Sequence, residues 1–96
     1  MKGNTLREFM DDLLAMGGPE KEFSYRGKHY FLQAQPYEKD TSQAEFDIFE
    51  CFGEQNSIFQ CHGKDNAACV RQFEKAKLFD GRTIYEAEAE IEVLFG

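Results

Sequence analysis

Leu6, Phe9, Met10, Leu13 and Leu14 recur at intervals of three and four, the spacing that gathers side chains on one face of an α-helix. Ahead of them, Thr5-Leu6-Arg7-Glu8 is a capping box, in which the Thr hydroxyl accepts from the N3 amide and the Glu carboxylate reaches back. Gly17-Gly18-Pro19 ends the run, Gly supplying a left-handed cap and Pro forbidding continuation. The pattern predicts a first helix over about residues 5–16.

From residue 22 the period shortens to two. Phe23 and Tyr25 alternate with Glu22 and Ser24, Arg26-Gly27 reads as a tight turn, and Lys28 to Gln35 is rich in aromatic and apolar residues. Pro36 is expected to end this second strand, with Glu38 to Gln43 as a polar loop. A second hairpin follows. Phe46, Ile48 and Phe52 occupy even positions against Glu45 and Asp47, and the pair Phe49 and Cys51 breaks the alternation, as in a strand partly covered on both faces. Gly53 to Ser57 reads as its turn and Ile58 to His62 as the return strand.

Asp65 or Asn66 then caps a second helix whose apolar face is Cys69, Val70, Phe73 and Ala76. Asp80-Gly81 reads as a turn, and Thr83-Ile84-Tyr85-Glu86 as another capping box. The tail satisfies two periods at once. Glu86, Glu88, Glu90 and Glu92 alternate with Ala87, Ala89, Ile91 and Val93, whereas Ile84, Ala87, Ile91, Leu94 and Phe95 fit a helix face. The capping box and the helix propensity of Ala and Glu favour a helix. The expected fold is a single α+β domain over residues 1–96. It has a four-stranded antiparallel meander, one N-terminal helix and two C-terminal helices, in the order α-β-β-β-β-α-α.

Composition narrows the function classes. The 96 residues include ten Phe and are 42% hydrophobic, enough for a core without disulfides or a structural metal. The N-terminus has no apolar stretch, and Asp11 and Asp12 interrupt the first apolar segment, so neither a signal peptide nor a membrane span is expected. Three Cys without an export signal point to free thiols and the cytoplasm. Eighteen acidic against eleven basic residues leave a net charge of −7, which opposes direct binding to nucleic acid. The surplus lies in two segments, one with Glu45, Asp47, Glu50 and Glu54, the other with Glu86, Glu88, Glu90 and Glu92.

Candidate chemistry is sparse. Cys51, Cys61, His62 and Cys69 are the conceivable metal set, but no C-x-x-C pair is present, and adjacent residues on a strand point to opposite faces. Buried thiols acting as small apolar residues explain them better. No catalytic residue, metal site or cofactor is assigned. Gly27-Lys28 and Gly63-Lys64 lack the spacing of a phosphate loop.

The stretch Ala-Lys-Leu-Phe-Asp-Gly-Arg-Thr-Ile-Tyr-Glu-Ala-Glu at 76–88, with the hairpin Phe-Ser-Tyr-Arg-Gly-Lys-His-Tyr-Phe at 23–31, resembles short uncharacterised proteins of Gram-positive bacteria. That group has no assigned activity, so the resemblance implies a bacterial cytosolic setting and no functional residue.

More apolar strand positions are present than one sheet face needs, which suggests a non-enzymatic interaction module that binds another protein or itself. Tyr37, Phe49 and Phe59 are the candidate patch, with acids as its rim. The alternative is an acidic decoy that mimics the charge of DNA toward a basic nucleic-acid-binding protein, carried by the acids of the two segments.

Overall fold

In the computed structural model, which describes residues 1–15, 20–52 and 56–95, the Thr5 hydroxyl accepts from Glu8 N at 3.1 Å and opens helix α1, Leu6–Leu13. Phe9, Met10 and Leu13 are its buried residues, and Leu14, expected on the same face, is exposed at the cap. The expected Gly17-Gly18-Pro19 stop lies outside the described residues.

Strands β1 (Glu20–Tyr25) and β2 (Lys28–Tyr37) form the first hairpin. Its two-residue turn has φ 48° at Arg26 and 82° at Gly27, the left-handed pair of a type I′ turn, so Gly27 supplies freedom the turn requires. Strand β2 runs through Pro36 to Tyr37, and β3 (Asp40–Glu50) starts three residues later, where a polar loop over 38–43 was expected. Pro36 is tolerated because Cys51 N donates to His29 O, and counting on from that bonded pair turns even-numbered β2 backbone toward β1. Among the described residues β1 pairs with β2 no further than Gln33, so the missing N–H of Pro36 breaks no ladder bond there.

β4 (Ser57–Gly63) completes the second hairpin, whose turn is partly outside the described residues. The Asp65 carboxylate accepts from Ala68 N at 2.9 Å and caps α2, Asn66–Lys75, which buries Cys69, Val70 and Phe73.

The tail departs from expectation. Its capping box forms, with Thr83 N donating to Glu86 Oε1 at 2.9 Å and Glu86 N to Thr83 Oγ1 at 3.4 Å, but helix α3 lasts only from Ile84 to Ala87. One 3-10 turn, Glu88–Glu90, leads into β5, Ile91–Phe95, antiparallel to β1. The sheet therefore has five strands, not four, in the order β4-β3-β2-β1-β5. A long tail helix would have had to bury Leu94 and Phe95, which are 41% and 59% exposed. As a strand, the segment buries Ile91 opposite Tyr25 and satisfies the outer backbone groups of β1.

Helices and core lie on one side of the sheet. Phe23 and Tyr25 of β1, Leu32 of β2, Phe46 and Ile48 of β3 and Ile91 of β5 point there, beneath Phe9, Phe73 and Phe79. No helix is long and apolar enough to cross a membrane among the described residues.

Candidate functional site

The strand registers bring the other set of side chains onto the opposite face: Glu20, Glu22 and Ser24 on β1, His29, Phe31, Gln33, Gln35 and Tyr37 on β2, Glu45, Asp47 and Phe49 on β3, Gln60 and His62 on β4, and Glu92 on β5. None of these residues is buried, and the core and the helices that cover it lie on the other side of the sheet.

At the centre of this open face Phe31 and Phe49 are cross-strand partners with ring centroids 5.5 Å apart. Glu22 flanks Phe31 on β1, and Phe95 stands beyond it opposite Glu22. Gln33 Nε2 donates to Gln35 Oε1 at 2.6 Å, and Gln35 Nε2 to Glu45 Oε1 at 3.1 Å, forming a polar ladder next to the aromatic pair. Tyr37 stacks flat on His62, centroids 4.0 Å apart and planes within 3°, while His62 Nδ1 and Gln43 Oε1 lie 2.9 Å apart. Rigid aromatics and amides are thus set in a frame of carboxylates. Among the described strand positions of this face there is no Lys or Arg.

Of the expected patch, Tyr37 and Phe49 share this face, but Phe59 does not. It pairs with the buried Ile48 and its ring lies 6.2 Å from that of Phe73, on the helix side. Phe59 is the cross-strand partner of core-facing Ile48, whose chain neighbour Phe49 points the other way. Phe31, the partner of Phe49, was missed; its alternation with the buried Tyr30 and Leu32 was the available signal.

The acids also divide. Glu45 and Asp47 belong to the open face, and Asp47 accepts from Ser57 Oγ at 2.8 Å. Glu50 pairs with Tyr30 at the end of the ladder on the core side, where burial, with the Glu50 charge adding to it, pushes the Tyr30 phenol up. Glu54 lies outside the described residues. The glutamates of the tail do not form a row. Glu86 closes the capping box, which lowers its carboxyl through the Thr83 amide. Glu88 lies 3.9 Å from Met1 N, and Glu92 3.6 Å from Lys2 Nζ. Glu90 accepts two bonds from Arg26, at 2.8 and 3.0 Å, and one from Arg82, which hold its carboxyl down at about 2.

The cysteines and histidine of the conceivable metal set do not converge. Cys61 and Cys69 meet between β4 and α2, with Cys61 Sγ 3.8 Å from Cys69 O, while His62 faces the other way and Cys51 follows the far end of β3. The Cys61 and Cys69 thiols are free. Burial raises all three thiols, Cys61 to about 12 with Cys69 adding to the effect, so no activated thiolate is present among them.

On the helix side a cleft of about 820 Å³ opens between the β2–β3 hairpin and the ends of α1 and α2, walled by Leu14, Ala34, Pro36, Ala44 and Ala67. Lys64 and Asp65 stand at its rim, and Asp65 is committed to its helix cap. Its described lining holds no His, Cys or paired carboxylates.

Comparison with protein-family models, with curated proteins and with solved structures finds no significant match. The open face must be read on its own chemistry.

Proposed function

We propose that this domain is a non-enzymatic protein-interaction module of the bacterial cytoplasm, and that its open sheet face binds a basic partner protein. The observation that carries the reading is the Phe31–Phe49 pair, half-buried on the open face and framed by Glu20, Glu22, Glu45, Asp47 and Glu92, with Lys2 against Glu92 at the margin and no Lys or Arg at the described strand positions of that face. Aromatic side chains give contact area at small entropic cost, and the acids select a partner of opposite charge and speed its encounter. Tyr37, held flat on His62, extends the contact area toward β4. The same acids disfavour two copies meeting face to face, because like charges would be buried against like.

The DNA-mimic decoy is the case in which that partner is itself a DNA-binding protein. Its carriers would be the open-face acids of β1 and β3, since the tail glutamates, Glu92 among them, are each engaged within the chain.

The test is affinity capture from a bacterial lysate with three baits: the native chain, Phe31→Ser/Phe49→Ser, and Glu45→Gln/Asp47→Asn, each checked for a native circular dichroism spectrum. A basic protein held by the native chain, released by salt and lost from both variants supports the reading. A partner retained equally by all three baits overturns it. Release of that partner by duplex DNA at constant ionic strength marks the decoy case.

A further inference from the structure

The two edges of the sheet differ. Beyond β5, Lys2 runs parallel and fills the ladder, Lys2 N donating to Ile91 O at 2.9 Å and Val93 N to Lys2 O at 2.8 Å. Beyond β4 no described strand follows.

Which β4 groups face outward follows from the alternation of antiparallel bonds. Cys51 N donates to His29 O, so odd-numbered β3 residues turn their backbone to β2 and even-numbered ones to β4; the bond from Glu50 N to Asn56 O agrees. Ile48, Phe46 and Ala44 therefore bond to Phe59, Cys61 and Gly63, and the backbones of Gln60 and His62 point away from the sheet. A side chain of α2 confirms the direction: Gln72 Nε2 reaches over the edge to His62 O at 2.9 Å. That bond takes one lone pair of one carbonyl. The N–H and C=O of Gln60 and the N–H of His62 have no backbone partner among the described residues.

Monomeric proteins usually blunt such an edge with charge, Pro or a bulge. Strand β4 reads Ser-Ile-Phe-Gln-Cys-His-Gly, with no Lys, Arg, Asp, Glu or Pro, in a chain of net charge −7, and its one register shift against β3 lies at the start of the strand, before Phe59, leaving residues 59–63 in regular pairing. It is the sheet margin where a second copy meets no like charge.

We propose that β4 is a self-association edge, and that two copies pair their β4 strands antiparallel about a two-fold axis at Gln60, joining two sheets into one. The axis falls there because Gln60 is the middle of the seven residues and its backbone faces outward. In that register each Gln60 exchanges both backbone bonds with its own copy, and the two side-chain amides, each a donor and an acceptor, meet on the open face. Phe59, half-buried in one copy, comes opposite Cys61 of the other on the helix side, so the core continues across the junction. An isologous contact of this kind closes on itself and leaves both aromatic faces free.

The experiment is sedimentation velocity over a concentration series on the full chain, with thermal melts to confirm folding. The native chain is expected to dimerise. Gln60→Lys, which sets a cation against its own copy at the axis, should weaken the dimer at least tenfold, as should Gln60→Glu. An equimolar mixture of the two should restore it as a heterodimer, because opposite charges then face each other. Phe31→Ser/Phe49→Ser should dimerise like the native chain, which separates this edge from the face proposed to bind a partner. A native chain that stays monomeric into the millimolar range overturns the proposal. So does a dimer indifferent to Gln60→Lys, or a Lys/Glu mixture that fails to reassociate while both variants remain folded.

Discussion

Lys21 Nζ lies 2.6 Å from Asp12 Oδ2, so a side chain on the core side of β1, 2% exposed, reaches up to the solvent end of α1. The same ammonium stands 5.4 Å from the centre of the Phe9 ring. The helix is thereby clipped to the sheet by an ion pair buried at one end only. Such a pair is asymmetric under mutation. Removing the carboxylate takes the anion away from a buried cation, whereas replacing the cation with an apolar isostere leaves no buried charge behind. Asp12→Ala is expected to cost about 1–3 kcal/mol and Lys21→Met less than about 1 kcal/mol, by urea denaturation. Equal losses from the two substitutions would show that the clip does not bear on α1.

Phe73 sits between Phe9 and Phe59, with ring centroids 6.4 and 6.2 Å away, and is fully buried. It links both long helices to β4. Phe73→Ala should cost roughly 3–5 kcal/mol, the usual range for a buried aromatic. Chemical denaturation measures it, and a loss under about 1 kcal/mol would contradict the packing.

Glu90 ties the β1–β2 turn to the tail through Arg26 and Arg82, and Arg26 Nη1 also donates to Asp80 at 2.8 Å. Its folded carboxyl titrates at about 2 against an ordinary 4.5. A carboxyl lowered on folding stabilises the protein above the unfolded value, and that contribution fades as pH falls through the interval toward about 2. Glu90→Gln should therefore lower the melting temperature at neutral pH and flatten its fall below pH 4.5. Parallel melting curves for the two proteins across that interval would refute the link.

The Cys61 thiol, pushed by burial from 9.0 to about 12, should resist alkylation. That gap is a factor of roughly a thousand in thiolate at fixed pH, and the Cys61 site is 8% exposed besides. Iodoacetamide on the native protein at pH 8 should leave Cys61 and the fully buried Cys69 unmodified while half-buried Cys51 reacts first. Peptide mass spectrometry reads the order. In denaturant all three should titrate, and early labelling of Cys61 would mean that β4 and α2 part readily.

Features governed by near neighbours could be read before the fold was known. The Thr5 and Asp65 caps start helices where the side chains can reach an amide three residues on. Arg26-Gly27 makes its turn because only left-handed backbone matches the twist of the flanking strands. Along the strands, the buried positions of Phe23, Tyr25, Phe46 and Ile48 follow the alternation of a half-covered sheet.

What depended on distant partners could not be read this way. Residues 91–95 carry both a helical and a strand period, and the unfilled edge of β1 decides between them, since backbone groups 65 or more residues away have no image in local spacing. The same holds for the candidate surface. Phe49 and Phe59 look alike in sequence, yet the β3–β4 register pairs Phe59 with Ile48, the core-facing neighbour of Phe49, so one ring lies on the open face and the other under α2. The acids of the tail, one run on paper, are parted among a cap, a 3-10 turn and a strand, where Arg26, Arg82 and Lys2 meet them. Propensity and capping act over four residues and belong to the sequence by itself; strand order, register and the pairing of charges act across the chain, and only the assembled sheet could settle them.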